Sequence, residues 1–182
     1  MNDRTERVLL LDEHLRICGT EDKARVHTTH TPLHLAFSCY IFNDENMLLL
    51  TRRALSKMAW PGVWTNSVCG HPLPDEPSPV ALRRRCCQEL GLNVENICEV
   101  DPDFRYRAVD AGGVVENEVC PVFFAHALHS PQPNPAEVMD FCWSPVSSVL
   151  NAVRAVPAAF SPWMGQQLQR EAVLAAIASR MR

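Results

Sequence analysis

The chain has 182 residues, 47% of them hydrophobic and 21% charged, which suits one globular domain burying roughly two-thirds of its unfolded surface and excludes disordered and fibrous classes. A net charge of −4 argues against a dedicated nucleic-acid binder or a polybasic membrane binder. The unusual counts are eight cysteines, seven histidines and fourteen prolines. The opening "MNDRTERVLLLDEH" is charged and has no apolar secretion core, and no run approaches the length of a membrane-spanning helix. A cytoplasmic, reducing setting is therefore expected, in which Cys18, Cys39, Cys69, Cys86, Cys87, Cys98, Cys120 and Cys142 stay thiols. No Cys-x-x-Cys pair is present, so a zinc ribbon is not expected either. Seven of the eight are expected to pack as small hydrophobes and at most one to do chemistry.

In chain order, "LHLAFSCYIF" from Leu33 to Phe42 predicts a strand, "NDEN" a turn and "MLLLTRR" the returning strand of a hairpin. The stretch Ala54 to Asn66 follows neither period and predicts a structured loop. "SVCGH" is a short strand and "PLPDEPSP" a turn. Ser78 as N-cap with Pro79 at the first helical position opens a helix that ends at Gly91. Strands follow at "DFRYRAV" and "VVENEVCPVFFAHAL", a proline loop at 131–135, and a strand at "EVMDFCW". Ser144-Pro145 and Ser161-Pro162 repeat the cap signature and open two helices, the last over 162–181. The expected class is α+β: one domain over 1–182, a mixed sheet packed between helices.

Four groupings could carry chemistry. His27, His34 and His71 with Glu116 and Glu118 would suit a divalent ion, since residues two apart on a strand share a face. Two buried carboxylates on one face need a cation between them, whereas a solvated face needs none, and spacing alone leaves both open. Cys69, next to Gly70 and two residues before His71, is either an exposed thiol at a sharp turn or a buried one. Lys23, Arg52, Arg53, Lys57 and Arg83 to Arg85 gather positive charge on an acidic chain, as a phosphate clamp or as a solvated face. Trp60, Trp64, Tyr106 and Trp163 are core or site aromatics.

The helix carries a broken Nudix box: Gly70, Glu76, Arg84, Glu89, Gly91 and Leu92 match it, while Arg85, Cys86 and Gln88 replace two glutamates and an aliphatic position. The segments "TPLHLAFS", "TRRALSKMAWPGVWTNSVCGHP", "FRYRA", "VENEVCPVF" and "AFSPWM" resemble the type I isopentenyl diphosphate:dimethylallyl diphosphate isomerases, over a motif-bearing core of about 23–163. The C-terminal helix lies outside that resemblance.

The resemblance implies a Nudix-like fold and an isomerase that shifts a double bond through a tertiary carbocation. It implies His27, His34, His71, Glu116 and Glu118 as ligands of Mn²⁺, Mg²⁺ or Zn²⁺, and Glu89 with the Cys69 carbonyl as the place of a Mg²⁺ that travels with the diphosphate. Glu118, relayed through Tyr106, is then the acid and Cys69, as thiolate, the opposing base. Trp163 lies beside the reacting carbon, and Lys23, Arg53, Lys57 and Arg85 contact the diphosphate. No flavin, nucleic acid or membrane is expected, and the chain is expected to act as a monomer on a C5 isoprenoid diphosphate. A Nudix-type diphosphate hydrolase and a non-catalytic metal-binding module are the alternatives. The loop "LPDEPSP" and Asp22 beside Lys23 depart from the family pattern. Cys120 should share the face of Glu116 and Glu118 unless Pro121 twists it away.

Overall fold

A computed structural model describes residues 6–181. They run β1 (Arg7–Leu11), β2 (Ile17–Asp22), α1 (Lys23–Val26), β3 (His34–Leu35), β4 (Phe37–Phe42), β5 (Met47–Arg53), β6 (Trp64–Thr65), β7 (Val68–Gly70) and α2 (Ser78–Leu90). β8 (Val94–Asp101), β9 (Arg105–Val109), β10 (Val115–Val119), β11 (Val122–Ala127), β12 (Val138–Pro145), α3 (Val146–Ala155), a 3-10 turn (Pro157–Ala159), α4 (Pro162–Gln167) and α5 (Glu171–Arg180) complete the chain.

The strands form two sheets, ordered β2-β1-β3-β10-β9 and β12-β5-β4-β11-β8, with β6 added to β5 and β7 to β4. Two stretches expected as single strands each divide between the sheets. The first breaks at Ala36 and the second at Cys120-Pro121, at the same level, because the stretches run parallel: His34 pairs with Glu118 and Ser38 with Val122. Pro121 has no N–H to give a ladder, and the Cys120 N–H turns away to the Phe104 carbonyl at 2.8 Å.

Alternation along β4 builds two cores. Phe37, Cys39 and Ile41 pack toward α2, against Leu82, Cys86 and Leu90. Tyr40 and Phe42 point the other way, into a core with Phe124, Tyr106, Trp163, Met164 and Ile177. The second sheet thus lies between α2 and the C-terminal helices, as a mixed sheet packed between helices should. Gly91 ends α2 at φ 53°, where a Cβ would stand 2.7 Å from the Gln132 carbonyl oxygen.

Several boundaries differ from expectation. Pro77, not Ser78, caps α2, and Pro145 closes β12 and caps α3, so at both places the cap falls on a proline. Ser161 does cap α4, but its hydroxyl bonds Thr65 Oγ1 at 2.7 Å instead of the helix. The stretch 162–181 is two helices: Arg170 between them is extended, and its guanidinium is tied to Asp101 at 2.7 Å. Asp22, the departure beside Lys23, caps α1 by accepting from the Ala24 N–H at 2.9 Å. β1, β2 and β8 had no sequence expectation; in β8 a left-handed Asn96 and outward Glu95 and Glu99 blur the alternation.

Candidate metal and active site

His34 leads β3, and Glu118 is its register partner on β10, with Tyr106 of β9 on the other side of Glu118. His27 follows α1 as its C-cap, and His71 follows β7. The fold therefore brings His27, His34, His71 and Glu118 together, with one ligand atom from each within 4.8 Å of the others. Glu116, two residues before Glu118, sets Oε2 3.0 Å from His27 Nε2. Glu118 Oε1 lies 3.3 Å from His34 Nε2 and 3.2 Å from His71 Nε2.

Donor atoms that close rarely stay unbonded, yet His27 Nε2, His34 Nε2, His71 Nδ1 and Glu116 Oε2 are buried without a hydrogen-bond partner. Such atoms cost roughly 1–3 kcal/mol each when left unsatisfied. Ligands about 2.1 Å from a shared cation stand ~3 Å apart, so this crowding fits a metal site. His34 Nδ1 lies 2.9 Å from the Pro32 carbonyl, which only accepts, so Nδ1 carries the proton and Nε2 offers its lone pair. Burial, with His34 nearby, lowers His27 to about 4, and burial lowers His71 to about 4 despite Glu118. Both are neutral imidazoles at neutral pH, as ligands must be. The solvated-face reading of Glu116 and Glu118 is therefore wrong: both carboxylates are buried, Glu118 within a group able to hold a metal ion and Glu116 beside it against His27.

Burial and the charge of Glu118 push Glu116 up. Burial would raise Glu118 as well, but the His34 and His71 imidazoles beside it outweigh that and hold Glu118 low. Tyr106 is pushed up by burial and by Glu118, so its phenol keeps its proton.

Cys69 and this cluster open into one cavity of about 560 Å³, lined also by Tyr106 and Trp163. Cys69 is partly exposed to the cavity, yet burial raises it to about 11, against a hydrogen bond with Ser38 that pulls it down. Burial therefore favours the neutral thiol over the thiolate at rest. Trp163 is buried, with its ring centroid 5.7 Å from Tyr106, 5.5 Å from Trp60 and 5.3 Å below the Arg53 guanidinium. Cys120 is buried beside Glu118, 3.3 Å from the Ser38 hydroxyl that also reaches Cys69.

The remaining wall is charged. Lys23, Arg53, Lys57 and Arg85 line the cavity, as do Glu6, Glu89 and Glu137. Arg85 is 4% exposed and bonds Glu89 at 2.5 Å, Glu6 at 2.9 Å and Glu137 at 3.3 Å. Lys23 bonds Glu6 at 2.5 Å, Lys57 bonds Glu137, and Arg53 donates to the Ala59 and Trp60 carbonyls. These four cations converge on the cavity, each held there by a carboxylate or a backbone carbonyl. Arg52 does not join them; its Nε donates to the Gly62 carbonyl at 2.9 Å. Glu89 lies in this wall beside Arg85, outside the histidine cluster, and so does Cys69. Gly70 permits the approach of α2: a Cβ there would lie 2.8 Å from Arg85 Cγ. Sequence reasoning missed Glu6 and Glu137, which lie far from any motif, and Asn66 and Ser38, which lie inside the motifs that carried the resemblance.

A NUDIX domain model matches residues 32–164. The chain is 52% identical over 176 residues to an isopentenyl-diphosphate Delta-isomerase of Kocuria rhizophila, covering 97% of this chain and 98% of that one. It is 55% identical over 166 residues to the enzyme of the same name from Salmonella paratyphi B, covering 91% and 92%. The chain belongs to the isopentenyl-diphosphate Delta-isomerases. The likeness runs past position 163 into the C-terminal helices, further than the motifs alone reached. In fold the chain is similar to DR0079 of Deinococcus radiodurans, with TM-score 0.70 and 18% identity over 91% of this chain and 98% of that one. A MutT protein of Methanosarcina mazei superposes with TM-score 0.60 and 14% identity over 83% and 96%. The membership accounts for the broken box: Glu89 is neutralised by Arg85, and Gln88 stands where a second carboxylate would be needed.

Proposed function

We propose that the chain interconverts isopentenyl and dimethylallyl diphosphate, with Cys69 and Glu118 as the two proton-handling groups. The observation that carries the reading is a single cavity in which a thiol, a carboxylate flanked by a buried phenol, an indole and four cations meet. Shifting an unactivated double bond requires one proton to be added at a terminal carbon and another removed across the tertiary cation so formed. Cys69 and Glu118, through Tyr106, hold or take those protons, and which one donates depends on the direction of reaction. The Trp163 face stabilises the cation by on the order of 2 kcal/mol in a dry site, and the surrounding aromatics keep water from capturing it. Lys23, Arg53, Lys57 and Arg85 bind the diphosphate, whose binding energy orients the hydrocarbon.

His27, His34, His71, Glu116 and Glu118 would hold Mn²⁺, Zn²⁺ or Mg²⁺, and Glu89 with the Cys69 carbonyl a Mg²⁺ that accompanies the substrate. A divalent ion at the histidine cluster supplies positive charge that orients Glu118 and sets its proton affinity. The chain is read as one domain over 1–182, a monomer acting in the cytoplasm on a C5 isoprenoid diphosphate, without flavin, nucleic acid or membrane. Eight free thiols and a net charge of −4 support that setting.

Purified protein with Mg²⁺ in deuterium oxide tests the reading. The expected result is equilibration of the two diphosphates with deuterium entering the product. No exchange at high enzyme concentration, or phosphate release in its place, overturns it.

A further inference from the structure

We propose that Asn66, together with Ser38, is a positioning residue for Cys69, clamping its sulfur and the Trp163 indole to one buried framework. The inference rests on the reading of Cys69 as a reacting group.

Asn66 lies between β6 and β7 and is fully buried. Its Nδ2 is 3.1 Å from the Cys39 carbonyl and 3.0 Å from the Val68 carbonyl. Both partners only accept, so the amide orientation is settled and Oδ1 must be an acceptor. That oxygen receives the Thr65 hydroxyl at 2.9 Å, the Trp163 indole N–H at 3.0 Å and the Cys69 thiol at 3.3 Å. One carbonyl thus sets the sulfur and the ring relative to each other.

Ser38 supplies the opposite contact. Tyr40 Oη donates to Gln167 Oε1 at 2.9 Å, which leaves Gln167 Nε2 to donate to Ser38 Oγ at 2.9 Å. The one remaining Ser38 hydrogen is then directed at sulfur: Cys69 and Cys120 each stand 3.3 Å away. Cys69 is therefore held between a fixed acceptor, suited to the thiol, and a hydroxyl shared with Cys120 whose one hydrogen can serve its conjugate base. A reacting atom displaced by ~1 Å costs about 10²-fold in rate, so the clamp bears on turnover more than on diphosphate binding.

The test measures kcat and the inhibition constant of inorganic pyrophosphate for the full chain with Mg²⁺, in wild type, Asn66→Ala, Ser38→Ala and Cys69→Ala. For Asn66→Ala, kcat should fall about 10²-fold, and for Ser38→Ala about tenfold. Pyrophosphate inhibition should stay within about twofold of wild type in both, a split a general packing role does not produce. Should Asn66→Ala fail to fold, Ser38→Ala, the smaller change, decides alone. The inference fails if the folded variants keep wild-type kcat while Cys69→Ala is inactive, or if kcat and pyrophosphate affinity fall together. If instead Cys69→Ala turns over normally, the underlying reading of Cys69 fails.

Discussion

His34 and Glu118 are register partners on adjacent parallel strands, and His34 Nε2 stands 3.3 Å from Glu118 Oε1 with no hydrogen bond joining them. Two buried polar atoms so placed are stable only when a third party sits between them or when the site stores strain. Glu118 lines the cavity, and His34 is fully buried behind it.

Metal should therefore stabilise the fold. A divalent ion at 100-fold over its Kd adds ~2.7 kcal/mol, and at about 2–4 °C per kcal/mol for a chain of this size Tm should rise roughly 5–10 °C. Thermal melts of chelator-treated protein, with Mn²⁺, Zn²⁺ or Mg²⁺ returned one at a time, check this. In His27→Ala or His34→Ala the rise should vanish, and elemental analysis should find the bound ion lost.

The two thiols that share Ser38 should separate cleanly. Cys69→Ala should lose about 10²- to 10⁴-fold in turnover, the scale of one acid–base group. Cys120 is buried away from the cavity, and Cys120→Ala should keep its rate. Equal losses in both would contradict the assignment.

Arg85 is buried among three carboxylates, so its removal hurts twice. Arg85→Gln leaves the buried Glu89 without its ion pair, while Lys23 and Lys57 still hold Glu6 and Glu137, and should destabilise the fold by about 3–5 kcal/mol. It should also raise KM for the diphosphate. Arg85→Lys keeps the charge but not the fork and should recover stability only in part. Denaturant unfolding and steady-state kinetics on the same preparations read both effects.

Glu6 ties the edge of β1 to this cluster. Burial would raise its carboxyl, but Lys23, Arg85 and Arg84 outweigh that and hold it at about 2, against an ordinary 4.5. A carboxyl depressed in the folded state contributes stability that is full above its unfolded value and is lost as pH falls through the folded one. The Tm difference between wild type and Glu6→Gln should thus be largest above pH 5 and shrink toward pH 2. A difference independent of pH would show that the ion pairs contribute nothing.

Much of this was legible before any tertiary contact was known. The hairpin around Asn43 to Asn46, α2 ending at Gly91 and the strand carrying Glu116 and Glu118 follow from local turn and periodicity rules. The failures have local causes as well. Capping rules favoured Ser78 and Ser144, but each helix is capped by a neighbouring proline, which fits an extended cap conformation. The helix over 162–181 hid its break because nothing near Arg170 signals the Asp101 contact that holds it extended.

The sequence by itself determined the class, the family resemblance and the choice of Cys69 among eight cysteines, because these rest on contiguous residues. It could not decide whether Glu116 and Glu118 faced water or the interior, nor that burial would push the Cys69 thiol up. Those depend on pairing between segments far apart in the chain, such as His34 with Glu118, and on the burial that pairing creates. Only the tertiary structure could show that Glu6 and Glu137 hold the cations of the cavity and that Asn66 joins Cys69 to Trp163. Hydrogen-bond direction, proton affinity and ion pairing are properties of an enclosed space, and no local pattern encodes where that space closes.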